Sequence, residues 1–237
     1  MESLIQVLRY LRSAGVCFLL ILGGALAAQP LPERGKLLFR DTFQAGLGHW
    51  VVEAEPRPNT TIKTQQKQLV LDVAGGATVW LKRKWTGDLL IEYKRQVVMA
   101  GGPNDRLSDL NQFWMATDPR NPNLFTRRGP FADYDSLSLY YVGFGGNENT
   151  TTRFRKYLGT GERVIHHSLS EPRYLLKPNH WYTITITVVG GTTAFYVDGK
   201  EFFSYQDPEP LREGYFGLRI FDSHQRVSDV RVYEIKK

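Results

Sequence analysis

Cationic, phenolic and imidazole side chains recur through the second half of the sequence, at spacings that could hold an anionic group and move a proton beside it. Arg95, Arg153, Arg155, Lys156 and Arg219 are candidates for the anion, because a guanidinium meets a carboxylate through paired hydrogen bonds. In the run Tyr215–Phe221, Phe216, Leu218 and Ile220 alternate with Gly217, Arg219 and Phe221, so Arg219 is expected to face away from the main core. The histidines are His49, His166, His167, His180 and His224. His224 follows Asp222-Ser223 just beyond the Arg219 strand, and imidazole titrates near neutrality. A phenol at Tyr141 or Tyr157 is a second candidate proton donor. Tyr141, His224 and Arg219 are therefore the expected catalytic group.

Aromatic residues accompany these charges. Trp114, Tyr140, Tyr141, Phe144 and Tyr157 carry ring faces of the kind that stack on the apolar face of a pyranose. Strand alternation puts Phe113 and Trp114 on opposite faces, and likewise Tyr140 and Tyr141. Phe113 suits a dry core better than an indole does, so Trp114 and Tyr141 are expected to face the ligand. The expected binding set is Trp114, Asn111, Arg95, Asn147, Arg153, Arg155 and Tyr157.

Other chemistries find less support. No His/Cys group has transition-metal spacing. Asp105, Asp109 and Asn111 supply hard oxygens that suit a structural calcium, and no other cofactor is expected. Gly143-Phe144-Gly145-Gly146 precedes no helical pattern and is not a nucleotide fingerprint. Nucleic acid is not an expected partner, because no recognition motif is present.

The elements that must position these groups read as strands. After the N-terminal segment no window shows helical apolar spacing. Strand-like runs occupy Lys36–Asp41, Gln68–Val73, Ala77–Lys82, Leu89–Val98, Leu137–Phe144, Trp181–Val189, Thr192–Val197, Glu201–Tyr205, Tyr215–Phe221 and Val227–Ile235. Gly190-Gly191 and Asp198-Gly199 are two-residue hairpin connectors, which predicts an antiparallel meander from Trp181 to Tyr205. Two segments, Ala100 to Asp135 and Gly145 to Pro178, are punctuated by Gly, Pro and Asn and read as long functional loops.

The chain has 237 residues and a formal charge of +6. Arg9 and Arg12 precede a small, apolar run from Ala14 to Ala28 that ends in Ala25-Leu26-Ala27. This pattern predicts a signal peptide over 1–27 and a single domain over 28–237; the run is shorter than a bilayer span, which weighs against a membrane anchor. Removal of Glu2, Arg9 and Arg12 lowers the charge to +5. Cys17, the sole cysteine, lies in that run, so the remainder can form no disulfide. A secreted or periplasmic monomer is the expectation, without membrane insertion once the signal is removed.

Phe39-Arg40-Asp41-Thr42-Phe43 with Gly48-His49-Trp50, and the ending Gly214-Tyr215-Phe216-Gly217-Leu218-Arg219 with Asp229-Val230-Arg231-Val232-Tyr233, resemble the ends of concanavalin A-like sugar-processing domains. Trp181-Tyr182-Thr183-Ile184 and Tyr196-Val197-Asp198-Gly199-Lys200 are similar to the central meander of that superfamily. Two middle segments, Asp109 to Pro119 and Tyr140 to Asn147 continuing through Arg153-Phe154-Arg155, are more selective. They resemble an uncharacterised bacterial domain-of-unknown-function family found among polysaccharide-degradation proteins, including rhamnogalacturonan systems. The resemblance implies an all-β fold, a concanavalin A-like jelly-roll sandwich of two antiparallel sheets with a concave face toward a sugar. Fold does not supply a reaction. Retaining glucanases of this fold carry E-x-D-x-x-E on one strand, and alginate lyases Y-F-K-x-G-x-Y; neither occurs here. The expected function is action on a plant or algal polysaccharide, as a lyase or glycosidase on uronic-acid-containing glycan. A non-catalytic carbohydrate-binding module is the alternative, and a ligand-free envelope protein a weaker third.

Overall fold

Among the described residues, period-two runs of β-branched and aromatic residues build strands, with only isolated helical turns between them. The computed structural model describes residues 31–236; the expected signal segment 1–27, its cleavage point and Cys17 lie outside the described residues. In chain order the strands are β1 (Arg34–Asp41), β2 (Trp50–Ala54), β3 (Thr61–Gln65), β4 (Gln68–Leu81), β5 (Trp85–Thr86), β6 (Leu89–Val97) and β7 (Leu110–Thr117). They continue as β8 (Ser138–Gly145), β9 (Thr151–Leu158), β10 (Arg163–Leu169), β11 (Trp181–Val189), β12 (Thr192–Val197), β13 (Lys200–Gln206) and β14 (Glu213–Ile235).

All pairings are antiparallel, and they form the expected two-layer jelly-roll sandwich. The first layer runs β10-β9-β8-β7, then the first half of β14, the second half of β4, and β2. The second runs β13-β12-β11-β6 and the second half of β14, which is flanked by β1 and by the first half of β4 with β3. Strands β4 and β14 therefore pass through both layers. They turn the corner together, where β14 shifts register between Phe221 and Ser223 and Asp222 takes φ 44°. Opposite it, β4 has Gly75 at φ 140°. A bulge of this kind bends a strand without ending it.

Leu71, Val79, Tyr93, Ile184, Ile186, Phe195, Phe216, Leu218, Ile220 and Val232 fill the space between the layers. A second apolar cluster lies on the outer, concave face of the first layer. There Trp80, Phe113, Tyr141 and Tyr157 are covered by Leu124, Tyr134 and Leu137 of the connection between β7 and β8. Glu53 holds that connection down: Oε1 accepts the Arg127 backbone N–H at 2.8 Å, and Oε2 accepts Tyr134 Oη at 3.0 Å and Trp80 Nε1 at 2.8 Å. Burial raises the Glu53 carboxyl above its ordinary range, and these donors oppose the rise.

The segment Gly145 to Pro178, read from sequence as one long loop, holds the hairpin β9–β10. Its strands escaped notice because Arg153, Arg155 and Lys156 interrupt the apolar alternation. The other segment, Ala100 to Asp135, contains β7.

Candidate functional site

Strand register gathers the site. On the concave face, Arg219 of β14 pairs with Asn111 of β7, Asn111 with Gly143 of β8, and Gly143 with Arg153 of β9. The next row is Gly217, Phe113, Tyr141 and Arg155. Directly paired residues share a sheet face, so these two rows form one floor. A cavity of about 680 Å³ opens over the first row and over Tyr141 and Arg155 of the second, whereas Gly217 and Phe113 do not line it. Its lining includes Tyr141, Asn111, Asn147, Arg153, Arg155 and Arg219, six of the residues expected from sequence. Arg106, Ser108, Asp109, Phe131, Glu148 and Phe221 also line it, with Gly143, Gly146 and Thr151.

Tyr141 is the centre of the floor and only 5% exposed. Its hydroxyl donates to Asn111 Oδ1 at 2.7 Å, with Asp109 Oδ2 at 3.4 Å. It reaches them across Gly143, where a Cβ would stand 2.5 Å from the phenol oxygen and 2.7 Å from Asp109 Oδ2. The glycine is there for close approach, since its φ is not in the left-handed region. Burial first, then the negative charge of Asp109, pushes the Tyr141 phenol well above its ordinary range. Tyr141 therefore keeps its proton and is a hydrogen-bond donor at neutral pH.

Two guanidiniums flank this phenol. That of Arg155 lies 5.0 Å above the Tyr141 ring. That of Arg219 lies 4.4 Å from the Phe131 ring and makes one long hydrogen bond, Nη2 to Gly129 O at 3.4 Å. The Nε atoms of both arginines are buried and have no hydrogen-bond partner among the described residues. Arg219 is 2% exposed; burial lowers its pKa, but a guanidinium keeps its charge. Four arginines against Asp109 and Glu148 give the lining a net positive charge.

The wall above Gly143 is a turn whose backbone is left-handed at Gly145 (φ 83°), Asn147 (φ 50°), Glu148 (φ 55°) and Asn149 (φ 60°). Asparagine tolerates that region better than most residues, and strain of this kind concentrates at binding sites. Asn149 fixes the turn through Oδ1 to Leu176 N–H at 2.7 Å and Nδ2 to Leu176 O at 2.9 Å.

The remaining expected residues lie elsewhere. Trp114 shares the interlayer face with Tyr140 and Phe154, and its Nε1 donates to Thr193 Oγ1 at 2.9 Å. The expectation that an indole would avoid the core fails because its N–H finds a partner there. Arg95 also lies between the layers, fully buried. Its Nη2 donates to Gln225 Oε1 at 2.6 Å, and burial lowers its pKa to about 10. Tyr157 stacks on Tyr141 at 5.8 Å but lies beneath the β7–β8 connection, without exposure. His224 lies past the β14 corner, opposite Asp72 of β4, and its Nδ1 is 2.9 Å from Asp105 Oδ1. It does not line the cavity. Asp105 also accepts the backbone N–H groups of Ala100 and Gly102, and Asn111 Oδ1 accepts the Tyr141 hydroxyl, so two of the three residues expected to serve calcium have protein partners here. Among the described residues no three His, Cys, Asp or Glu side chains are grouped to hold a metal.

Sequence reading missed Arg106, Ser108, Phe131, Glu148, Thr151 and Phe221, and took Asp109 only as a calcium ligand. The informative signal was Gly143, a glycine inside a strand run.

Comparison of the coordinates with solved structures agrees with the fold. A protein of unknown function with galectin-like fold from Bacillus subtilis matches with TM-score 0.71 and 14% identity, over 87% of this chain and 100% of that one. The carbohydrate binding module CBM66 from Bacillus subtilis matches with TM-score 0.56 and 14% identity, over 78% and 96%. The endo-beta-1,3-glucanase from Pyrococcus furiosus matches with TM-score 0.58 and 12% identity, over 85% and 95%. At such identities the likeness is one of fold. No curated protein matches the sequence. A family model does, over residues 71–230, and since this is more than half of the chain, the protein belongs to the family described as Domain of unknown function (DUF6250).

Proposed function

We propose that the concave cavity binds a carbohydrate residue bearing a carboxylate, as in a uronic-acid-containing glycan. The observation that carries this reading is the convergence of the Arg155 and Arg219 guanidiniums on either side of the Tyr141 phenol in the lining of one cavity. Charge-assisted hydrogen bonds from guanidinium to carboxylate are the strong ones available to such a site. Asn111, Asn147 and Ser108 supply neutral donors and acceptors for hydroxyls, and Phe131 and Phe221 offer ring faces. The shared fold with a carbohydrate binding module and a glucanase supports a sugar as the carrier of the carboxylate. An extracytoplasmic setting, expected from the N-terminal segment, belongs to the same proposal.

A second reading, β-elimination, is favoured by one contact: the Tyr141 hydroxyl lies beside the Asp109 carboxylate. Asp109 would take the proton next to the uronate carboxyl, the arginines would stabilise the developing charge, and Tyr141 would protonate the departing glycosidic oxygen. Hydrolysis by paired carboxylates has less support. Glu148, the other acid in the lining, is exposed and faces Arg106 at 3.8 Å.

The test is calorimetric titration with uronic-acid oligosaccharides and with their neutral counterparts, at low and high salt. Binding restricted to the acidic series, and weakened by salt, is expected; equal binding of neutral sugars would overturn the proposal. Absorbance of an unsaturated product in the same mixtures separates the lyase from a pure binder.

A further inference from the structure

The walls of the cavity are not equivalent. Toward β4 and β2 the way across the sheet is blocked by Gly129–Phe131. The Gly129 carbonyl rests on the sheet so closely that a Cβ on Gly76 would lie 2.3 Å from it, and a Cβ on Gly129 would lie 2.5 Å from the Glu55 nitrogen. This barrier is well anchored. Arg127 donates from Nε to Asp133 O at 2.8 Å, from Nη1 to Leu124 O at 2.7 Å and from Nη2 to Asp118 Oδ2 at 2.5 Å. On the flank, Arg106 ties three segments together. It donates to Asp222 O at 2.7 Å and Phe221 O at 2.8 Å, and faces Glu148 at 3.8 Å.

The remaining direction is along β9 and β10. Arg155 pairs with Ile165, and Arg153 with Ser168, whose Oγ lies 3.3 Å from Arg153 Nε. Ile165 therefore shares the groove face and continues it outward. It is 53% exposed, a β-branched apolar side chain in open solvent beside a guanidinium.

Resting on the acidic-sugar reading above, we infer that the groove is closed at the β4 side and takes the terminal residue of an acidic glycan chain, with the next unit lying over Ile165 and Arg153. A chain continuing in both directions would have to displace Gly129–Phe131, and with it the Arg219–Phe131 contact that forms part of the site.

The experiment compares galacturonate and glucuronate monosaccharides, their trimers, and polyuronates of known mean length, by calorimetry. The inference expects about one protein bound per chain whatever its length, and tighter binding of trimer than of monosaccharide. Ile165→Ser is at an exposed position and leaves the core and the charge of the groove untouched. It should weaken the trimer roughly fivefold through lost apolar contact, while leaving the monosaccharide unchanged. Stoichiometry that grows with polymer length would overturn the terminal-residue inference and leave the acidic-sugar reading intact, and so would an Ile165→Ser variant with wild-type trimer affinity. Absence of binding to every uronate would instead defeat the underlying reading.

Discussion

The phenol oxygen of Tyr141 occupies the space that a side chain at position 143 would need: a Cβ on Gly143 would lie 2.5 Å from it and 3.0 Å from Asn111 Oδ1. Gly143→Ala must therefore push the phenol off its two partners or bend β8. Overpacking of this kind costs about 1–3 kcal/mol. The expected outcome is a folded protein with a lower urea midpoint and at least tenfold weaker uronate binding. Retention of both would mean that the Tyr141–Asn111 contact is not part of the site.

Tyr141→Phe keeps the ring under Arg155 and removes only the hydroxyl. Asn111 Oδ1 then loses its donor, and a buried acceptor left unpaired costs about 1–3 kcal/mol. Binding should weaken, and any unsaturated product should disappear. The wild-type phenol should also resist ionisation. Its folded pKa lies above the unfolded value, so its contribution is present below pH ~10 and is lost as pH rises through the folded value. Ultraviolet difference titration of wild type against Tyr141→Phe measures this; a tyrosine titrating near its ordinary value at position 141 would refute it.

The two arginines should fail differently. Arg155 stands on β9, with one side toward the open end of the groove, and Arg155→Gln should lower uronate affinity roughly tenfold or more while changing stability little. Arg219 is buried against Phe131 and Tyr134, so Arg219→Gln also disturbs packing of the β7–β8 connection. Its loss of binding should come with a lower thermal midpoint. If Arg155→Gln leaves the salt dependence of binding unchanged, the anion lies elsewhere.

Much of the sandwich was readable from period two and turn chemistry. Thr192–Val197 and Trp181–Val189 have the expected limits, and Gly190-Gly191 and Asp198-Gly199 join β11, β12 and β13 as two-residue connectors. What failed was the side-chain arithmetic at the site. Alternation correctly separated Phe113 from Trp114 and Tyr140 from Tyr141, but it could not say which face was the core. Both faces of this sheet carry aromatic clusters, because the β7–β8 connection buries the concave one. Arg219 was placed on the concave face because its neighbours in β14 alternate cleanly. His224 was misplaced because the bulge at Asp222, which carries β14 into the second layer, leaves no mark in composition.

Behind Tyr141, on the core side of β9, lies an ion pair that should control acid stability. Lys156 Nζ is 2.8 Å from Asp207 Oδ2, which also accepts Tyr140 Oη at 2.6 Å. Both charged side chains are almost wholly buried. Burial alone would raise the Asp207 carboxyl, but the hydrogen bonds from Lys156, Tyr140 and the Glu209 N–H outweigh it and hold the pKa below 3.8. A depressed carboxyl contributes its full stability above the unfolded value and loses it as pH falls through the folded one. Wild-type stability should therefore drop below about pH 4, with Asp118 and Asp229, shifted the same way, adding to the fall. Asp207→Asn strands a buried ammonium and should cost about 3–5 kcal/mol at neutral pH, with a shallower acid limb. Urea unfolding at pH 7, 5, 4 and 3 decides the matter: parallel acid limbs for wild type and Asp207→Asn would show that this pair carries no pH-dependent stability.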